Sequence, residues 1–430
     1  MTSTKMVLSL VASTCIATSL CAMEFQVLGA RAASMGGAGI ATSPSSLAAY
    51  NNPALLANNP EKFSIHLGAG VGIKDTGAGK AVGDLSDMDF SNLMDAADGN
   101  INALTQNDMN TLLKARDIIT GIDQKGFQLN PTVNLGISFG SFGTGLFGTS
   151  DIGAVANIDQ THTDLIFENS GSYYKVINST SGPMVTASTV IDYNSNSLQY
   201  AIQNGNTYLN VVGIAVAEVP LAYGQAFNTE YGSLSVGGAL KLMAGKTFVK
   251  QIKLDDDNAL DNIDKNTKET TTFGVDLGMT FKPAVTTDLT VALVGKNLNT
   301  PKFDIATTAG GGQYELKPAV RAGAAYKFGN WVELAFDADL TENKSVTGYN
   351  TQYIGGGANL DLSFLELNVG LMQNMAANDT AGLIYTAGIA TGPKWLHLEL
   401  AAQMASEKGE IDGTSYPKQA MVNLALSSAW

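Results

Sequence analysis

The residue types that most often carry out chemistry are few in this chain and widely spaced. Its three histidines, His66, His162 and His397, stand far apart, and none has a metal-ligand partner at helical or turn spacing. No constellation of serine, histidine and acid marks a hydrolase. The sequence therefore predicts a protein that is not an enzyme and that uses no cofactor.

One acidic loop is a weak candidate for a metal site. Residues Asp255, Asp257, Asp261 and Asp264 gather carboxylates that could hold Ca²⁺. Leu260, however, stands where the helix-loop-helix calcium loop requires glycine. A solvated acidic loop is the simpler interpretation, and no resident metal is predicted.

The overall composition limits the classes of partner. The chain has 430 residues, with 25 Lys and Arg against 39 Asp and Glu, which gives a formal net charge of −14. A nucleic-acid-binding protein needs a basic face, so nucleic acid is not an expected partner. Hydrophobic residues make up 45% of the chain and glycines number 46, which is too apolar for a disordered protein.

The first 22 residues have the character of a secretory signal peptide. Lys5 precedes an apolar stretch, and both cysteines, Cys15 and Cys21, fall within this segment. Cleavage after Ala22 would leave a mature chain without cysteine; lipidation of Cys21 is an alternative that the preceding residues do not favour. Beyond this segment the longest apolar run, Val211–Ala217, is far shorter than a membrane-spanning helix. A membrane location would therefore require strands.

Alternation of apolar with small or polar residues dominates the rest of the chain. From Phe63 to Ile73 every second residue is apolar, a period of two that continues over about one bilayer crossing. A soluble sandwich shows the same alternation, so periodicity alone does not separate the two classes. An even number of such segments fits a closed, all-β transmembrane antiparallel barrel. The pattern predicts about 14 strands, at 63–73, 131–140, 142–157, 207–227, 233–253, 269–282, 288–298, 315–328, 331–342, 351–362, 365–374, 381–391, 395–405 and 418–430.

Turn lengths and aromatic residues favour the barrel over the sandwich. Tight turns alternate with longer connections, as they do in outer-membrane barrels, and this places both chain termini on the short-turn, periplasmic side. Aromatic residues beside the tight turns predict a ring at the inner headgroup level. We therefore expect a monomeric barrel in the bacterial outer membrane, surrounded by lipids and inserted by the barrel-assembly machinery. The ring would comprise Phe139, Phe142, Phe227, Tyr231, Phe281, Tyr326, Phe328, Trp331, Phe364, Trp395 and Trp430.

The pattern also divides the chain into regions. After the signal peptide (1–22), residues 23–62 precede the first strand, and the barrel follows over 63–430. Within the barrel, residues 74–130 carry helical spacing and predict a short helical extracellular insert. Residues 158–206 are rich in Ser, Thr and Asn and predict a long surface loop, with room for a local hairpin.

The segment before the first strand resembles a known family. Its Gly29-Ala-Arg31 and Met35-Gly-Gly-Ala38 stretches and its Asn52-Pro53-Ala54 turn are similar to the N-terminal hatch of the long-chain fatty acid transporter (FadL-like) superfamily. Further stretches, such as Val320-Arg-Ala-Gly-Ala-Ala-Tyr326, resemble the branch labelled conjugal transfer protein TraF. The resemblance implies a 14-stranded barrel plugged by its hatch at 23–62, and it implies less about function.

Two positions are candidates for a gate or ligand contact. Pro220, directly after Glu218-Val219, cannot donate to the strand ladder and should force a bulge or kink. In the fatty acid transporters a strand kink makes a lateral opening; an irregularity without a transport role is the alternative. The turn Asn52-Pro53-Ala54 would be a rigid gate element in a glycine-rich segment, or part of a hatch that only fills the lumen.

Two functions follow from this description. The hatch and Pro220 favour passive transport of small hydrophobic compounds through the barrel. The family label and the helical insert favour a structural role in conjugal transfer or surface assembly without transport. The ligand itself is not predicted.

Overall fold

The computed structural model describes residues 23–88, 90–252, 266–329, 331–393, 395–411 and 413–430. The predicted signal peptide at 1–22 and the candidate calcium loop with Asp255, Asp257, Asp261 and Asp264 lie outside these residues. In the described part of the chain no helix is long and apolar enough to cross a membrane.

Fourteen strands close into one antiparallel barrel, as the alternation predicted. Each strand pairs with the next along the chain, and β1 closes against β14 with Leu67 opposite Leu426. The strands are β1 Phe63–Asp75, β2 Gly126–Phe139, β3 Phe142–Asn157, β4 Tyr208–Thr229, β5 Gly232–Ile252, β6 Thr267–Pro283, β7 Leu289–Lys296, β8 Ala319–Phe328, β9 Val332–Asp339, β10 Tyr353–Asp361, β11 Leu365–Asn374, β12 Leu383–Thr391, β13 His397–Ala405 and β14 Gln419–Ala429.

The period of two sets which side chains face outward. On β1, Leu67 and Val71 are about half exposed, whereas His66 is fully buried in the lumen. The ring predicted beside the short turns is largely exposed, with Phe142, Trp331 and Trp395 each at 50% or more. An outward apolar band with an aromatic ring at one end is the surface expected of a membrane barrel.

Backbone hydrogen bonds at residue 430 join the first strand of the barrel to the last. The backbone N–H groups of Lys62 and Phe63 both donate to the carbonyl oxygen of Trp430, at 2.8 and 3.2 Å. The N–H of Trp430 donates in return to the carbonyl oxygen of Phe63, at 2.9 Å. The start of β1 is therefore tied to the end of β14.

Two long connections on the opposite side form a single extracellular cap. The connection between β1 and β2 contains α3 Gly79–Asp87, α4 Phe90–Asn100 and α5 Gln106–Gly121, so the helical insert is present. The connection between β3 and β4 was predicted to be a surface loop with room for a hairpin, and it is more extensively folded than that. It forms a three-stranded sheet, Ile166–Asn169, Ser172–Ser179 and Gly182–Ser188, with α6 Val190–Asn196 and α7 Leu198–Gln203. The two connections share an apolar core that includes Ile101, Leu112, Ile119, Leu165, Phe167 and Leu198.

Three further connections carry short hairpins on the same side. Their strands pair Lys302–Asp304 with Gln313–Glu315, Asn343–Lys344 with Asn350–Thr351, and Lys408–Ile411 with Thr414–Pro417. The first of these hairpins turns inward and packs inside the barrel mouth, where Phe303 is fully buried.

Candidate functional site

The hatch occupies the lumen along its whole length. It contains α1 Ala30–Ser34, α2 Ser45–Asn51 and the 3₁₀ helix Pro53–Asn58. The expectation that both termini lie on the short-turn side is wrong for the N-terminal part of the hatch. Glu24 reaches Lys74, near the extracellular end of β1, at 3.3 Å, so the hatch runs down the lumen from the mouth to residue 62.

The inner wall is shaped to the hatch by glycines. A side-chain carbon added at Gly237 would lie 2.3 Å from the carbonyl carbon of Pro53, and one at Gly278 would lie 1.9 Å from the amide oxygen of Asn52. On the opposite wall, a carbon at Gly357 would lie 2.7 Å from the Cα of Met35. Glycine is required at Gly237 and Gly357 because the hatch backbone approaches the strand directly, and at Gly278 because the Asn52 side chain does.

The predicted turn Asn52-Pro53-Ala54 is fully buried at the centre of this contact. The side-chain nitrogen of Asn52 donates to the carbonyl oxygen of Ile40 at 2.9 Å. The side-chain oxygen of Asn52 accepts from the backbone N–H of Ala54 at 3.1 Å. Pro53 opens the 3₁₀ helix, where its missing N–H costs no hydrogen bond. The turn has the rigid geometry that the sequence predicted; its role as a gate stays a prediction.

Glu218 belongs to an ion cluster directly above this turn. Lys241 on β5 lies between Glu218 on β4, at 3.0 Å, and Asp276 on β6, at 3.1 Å. The ammonium group of Lys241 also donates to the side chain of Asn297 at 2.7 Å, and Lys241 is fully buried. Buried charges need such partners because desolvation is costly. The sequence analysis identified Glu218 but missed Lys241 and Asp276.

A second set of contacts holds Tyr50 of the hatch against side chains of the barrel wall. The ring of Tyr50 stacks on Phe147 of β3, with centroids 5.0 Å apart. The ammonium group of Lys296 on β7 lies 3.2 Å from the centroid of the same ring. Tyr50 therefore contacts both an aromatic ring and a cation from separate parts of the wall.

A carboxylate and a guanidinium fix the glycine-rich part of the hatch. One oxygen of Asp337 on β9 accepts from the N–H groups of Gly39 and Ile40, at 2.8 and 3.1 Å. Arg321 on β8 donates to the carbonyl oxygen of Phe25 at 3.1 Å and pairs with Asp339 at 2.7 Å. Charged wall residues thus replace water as partners of the hatch backbone.

Pro220 does not produce the predicted bulge, and the kink stays a prediction. On the β5 side, the register runs without a shift through Pro220, which lies opposite Lys241. On the β3 side, the ladder lapses only between the pairs of Thr144 with Leu221 and Phe147 with Glu218, and it resumes in the same register. The missing N–H of Pro220 leaves a short gap in the hydrogen bonds to β3. The strand stays in register because β4 remains paired with β5.

The lumen also contains an apolar recess near the mouth. Val212, Ile214 and Val216 of β4 and Met243 and Val249 of β5 lie side by side on the wall of this recess. It is filled by the inward-turned hairpin, whose Phe303 and Tyr314 pack on those side chains. This patch has larger apolar side chains than most of the inner wall, which consists largely of polar residues, glycine and alanine.

Two small cavities lie beside the hatch. A cavity of about 190 Å³ lies toward the short-turn end and is lined by Arg31, His397 and Glu399, among others. One of about 60 Å³ lies above it, beside Glu24 and Arg321. Helix α1 lies between the two, so the hatch separates the mouth from the short-turn end.

The histidines fall where a barrel places polar residues, and they form no metal centre. His66 and His397 face the lumen, and His162 lies in the cap, 2.7 Å from Asp159. Among the residues with described positions, no group of three or more His, Cys, Asp or Glu could hold a metal ion.

The closed 14-stranded barrel with the hatch in its lumen is the fold that the FadL-like resemblance implied. A family model for the "F plasmid transfer operon, TraF, protein" matches residues 49–339, more than half of the chain. The chain belongs to this family. A search of curated proteins gave no match.

One solved structure supports the fold, and two others are similar at lower TM-scores. A deltaS2S3 mutant of TodX, a monoaromatic hydrocarbon channel, matches with a TM-score of 0.51 at 11% identity, over 94% of this chain and 98% of that one. The toluene transporter TbuX from Ralstonia pickettii has a TM-score of 0.46 at 12% identity, over 96% and 100%. A Pseudomonas aeruginosa FadL homologue has a TM-score of 0.45 at 12% identity, over 94% and 99%. At such identities the likeness concerns the fold alone.

Several lumen residues could have been found from the sequence, and others could not. Lys241 and Asp276 occupy inward positions in strands that otherwise alternate cleanly, so a charge at that register is a visible signal. Phe303 lies in a connection without periodicity. Nothing in the sequence indicates that this connection turns into the lumen.

Proposed function

We propose that this protein is a passive channel for small hydrophobic compounds across the bacterial outer membrane, closed by its hatch in the present conformation. The observation that carries the proposal is the apolar recess formed by Val212, Ile214, Val216 and Met243. A barrel that passes only water and ions has a polar interior, so an apolar inner patch favours a hydrophobic ligand. The structural neighbours, which are hydrocarbon channels by name, support the same class.

Passage requires the hatch to move, because the cavities on its two sides are separate. The contacts of Asn52 and Pro53 with Gly237 and Gly278 are steric fits rather than ion pairs. A shift of this turn would therefore break few strong interactions, whereas the ion cluster at Lys241 would stay in the wall. This difference supports the Asn52-Pro53-Ala54 turn as the gate element.

The test compares two Asn-Pro pairs of the hatch. Asn52→Ala with Pro53→Ala removes the buried turn, and Asn59→Ala with Pro60→Ala removes the second pair near residue 62, where Pro60 is exposed. The proposal expects toluene uptake into proteoliposomes to change in the first variant and not in the second, while both stay heat-modifiable on unboiled gels. Equal flux in both variants and in the unmodified protein would contradict gating.

A structural role in conjugal transfer or surface assembly is the second candidate. The family to which the chain belongs carries a transfer-operon description, and the cap is packed around an apolar core of its own, which would give a partner a stably folded surface to bind. A deletion strain separates the two proposals. Unchanged growth on hydrophobic substrates, together with reduced mating frequency and a stoichiometric co-purifying protein, would favour assembly over transport.

A further inference from the structure

The hairpin that fills the apolar recess is an extracellular connection folded back into the barrel. Its two strands, Lys302–Asp304 and Gln313–Glu315, pair so that Phe303 lies opposite Tyr314. Both of these rings are buried, whereas Lys302 and Gln313 on the alternate positions are exposed. The hairpin therefore has one aromatic face, which lies in the recess, and one polar face in contact with solvent.

The barrel wall has a notch at the position of the Phe303 ring. The notch is formed by Gly245 of β5, whose cross-strand partners are Val216 of β4 and Thr270 of β6. A side-chain carbon added at Gly245 would lie 2.2 Å from the Phe303 ring, so the ring occupies the space that another residue would fill. Because both partners have β-branched side chains, the notch is one residue wide. It fits one aromatic ring, and a fused pair of rings would collide with its sides.

The contacts of the Phe303 ring are ones that a free aromatic molecule could also make. The ring belongs to a cluster with Val216 and Met243, and contacts of this kind are nonpolar and have no fixed direction. The side chain of phenylalanine is toluene without one hydrogen atom. An uncharged compound with one aromatic ring would therefore make in the notch the contacts that Phe303 makes. A carboxylate on that ring would have to leave water for an apolar recess, which is costly.

Side-chain hydroxyl groups attach the hairpin to the wall beside the notch. The hydroxyl group of Thr247 on β5 donates to the carbonyl oxygen of Asp304 at 2.6 Å. The N–H of Asp304 donates to the hydroxyl oxygen of Thr270 at 2.9 Å. The two strands of the hairpin form a sheet of their own, separate from the barrel. The hairpin can therefore leave the wall without unpairing any strand of the barrel.

The far end of the hairpin lies in open space. Gly310, Gly311 and Gly312 have φ values of +93°, +73° and +99°, a conformation that glycine adopts readily. A side-chain carbon added at Gly311 or Gly312 would meet no atom within 4 Å. The hairpin is thus held by its aromatic face, and its tip has room to move.

We propose that Phe303 is a built-in competitor for the recess. An uncharged compound with a single aromatic ring binds at Gly245 by displacing Phe303, and the hairpin then moves from the wall toward the mouth as one unit. This inference rests on the proposed channel function and gives that channel its selectivity, because larger or charged compounds do not replace the Phe303 ring. Binding does not require transport, so the exchange can be tested separately.

A disulfide that holds the hairpin on the wall tests the exchange. The only cysteines of the chain are Cys15 and Cys21, so cysteines introduced after residue 22 are unambiguous. Toluene should raise the temperature at which the heat-modifiable band is lost, because it binds the folded barrel. In Thr270→Cys with Asp304→Cys, which joins hairpin and wall, we expect oxidation to abolish that rise, reversibly with reductant.

The matched control is a disulfide inside the hairpin. Lys302→Cys with Glu315→Cys joins two paired positions of the hairpin and leaves it free of the wall, so the effect of toluene should persist after oxidation. An equal rise in both oxidised variants would overturn the exchange, and so would a lack of any effect of toluene on the unmodified protein. Binding that the wall disulfide abolishes, without toluene uptake into proteoliposomes by the unmodified protein, would support the exchange and reject the proposed channel. Uptake that the wall disulfide leaves unchanged would overturn the exchange and leave the channel proposal intact.

Two substitutions separate the notch from an accidental cavity. Phe303→Ala removes the competitor, so we expect toluene to bind about tenfold more tightly or better. Adding Gly245→Ala to this variant fills the notch and should cancel the gain. Adding Gly238→Ala instead should preserve it, because the carbon added there has its nearest contact with a leucine side chain at 3.4 Å. A Phe303→Ala protein that binds toluene no more tightly than the unmodified protein, or a gain that survives Gly245→Ala, would overturn the proposal.

Ring size gives a further readout in the unmodified protein. Naphthalene at the same free concentration should raise the temperature of band loss less than toluene does, because a fused ring does not fit between Val216 and Thr270. An equal or larger effect of naphthalene would overturn the assignment of Gly245 as the site that limits the ligand to one ring.

Discussion

The hatch and the extracellular cap are both additions to one barrel, yet they are held in opposite ways. The hatch has only small apolar clusters, and it depends on wall glycines such as Gly237 and on charged wall residues such as Asp337. The cap has an extensive apolar core of its own, with Leu112 and Leu198 fully buried. A change in the wall should therefore affect the hatch, whereas a change in the cap should leave the barrel intact.

The largest effect is expected from the ion cluster beneath the recess. Lys241→Met removes the only cation within ion-pair distance of Glu218 and Asp276 among the described residues. Breaking a buried pair in this way costs about 3–5 kcal/mol. The heat-modifiable form should then be lost at a markedly lower temperature in detergent.

Neutralising the whole cluster is the control for that variant. Lys241→Met together with Glu218→Gln and Asp276→Asn leaves no unpaired charge, so most of the lost stability should return. A triple variant as unstable as the single one would mean that Lys241 acts through packing rather than charge.

A substitution in the apolar core of the cap should destabilise the cap without destabilising the barrel. Leu112→Ala removes a fully buried side chain of α5, at an expected cost of about 2–5 kcal/mol. Limited proteolysis should then cleave within 76–125 or 158–207, while the barrel keeps its heat-modifiable band. Lys114→Ala, on the exposed side of the same helix, should leave the cleavage pattern unchanged. Loss of the barrel band would show that cap and barrel fold as one unit.

A smaller effect should follow from one added carbon in the wall. Gly237→Ala brings a methyl group against Pro53, and such overpacking costs about 1–3 kcal/mol. The hatch should loosen, and single-channel conductance in planar bilayers should rise. Gly238→Ala is the matched control because its nearest contact is a flexible leucine side chain at 3.4 Å. Equal conductance in the two variants would contradict the glycine fit.

The smallest effect expected is a pH dependence of the stability of the cap. Burial, and then the charge of Asp95, raise the pKa of Asp98 from 3.8 to about 6. Between about pH 4 and pH 6 the folded cap therefore binds more protons than the unfolded chain, and the cap should lose stability as the pH rises through this window. Protease susceptibility of the cap should increase from pH 4 to pH 6 and then level off. Asp98→Asn should remove this dependence, and a dependence that survives the substitution would assign it to another group.

The sequence predicted the barrel because each strand repeats one rule. Apolar residues at every second position, as in Phe63–Ile73, are enforced by lipid on one side and by the lumen on the other. That constraint holds over all fourteen strands, so their positions could be predicted closely. The helical insert was also visible, because a period near 3.6 is as local a signal as a period of two.

The candidate site was only partly predictable, since it depends on contacts between distant segments. Glu218 and the turn at Asn52 were recognised from the sequence. The structure places the ion cluster of Glu218 directly above this turn. The bulge expected at Pro220 is absent because pairing with β5 compensates for the missing N–H, which a single strand cannot reveal. Phe303 was missed because it lies in a connection that carries no periodic signal.

The bond between Lys62 and Trp430 has a consequence for the order of biogenesis. Residue 62 ends the hatch, yet its backbone partner is the carbonyl group of a residue beyond the fourteenth strand. In a chain that is exported from its N-terminal end, this partner arrives after every other strand. With the export that the predicted signal peptide implies, the hatch would cross the periplasm unanchored at this end, and strand β1 would keep an open edge until β14 is delivered. Sealing the barrel and fixing the base of its plug are thus one late event rather than two.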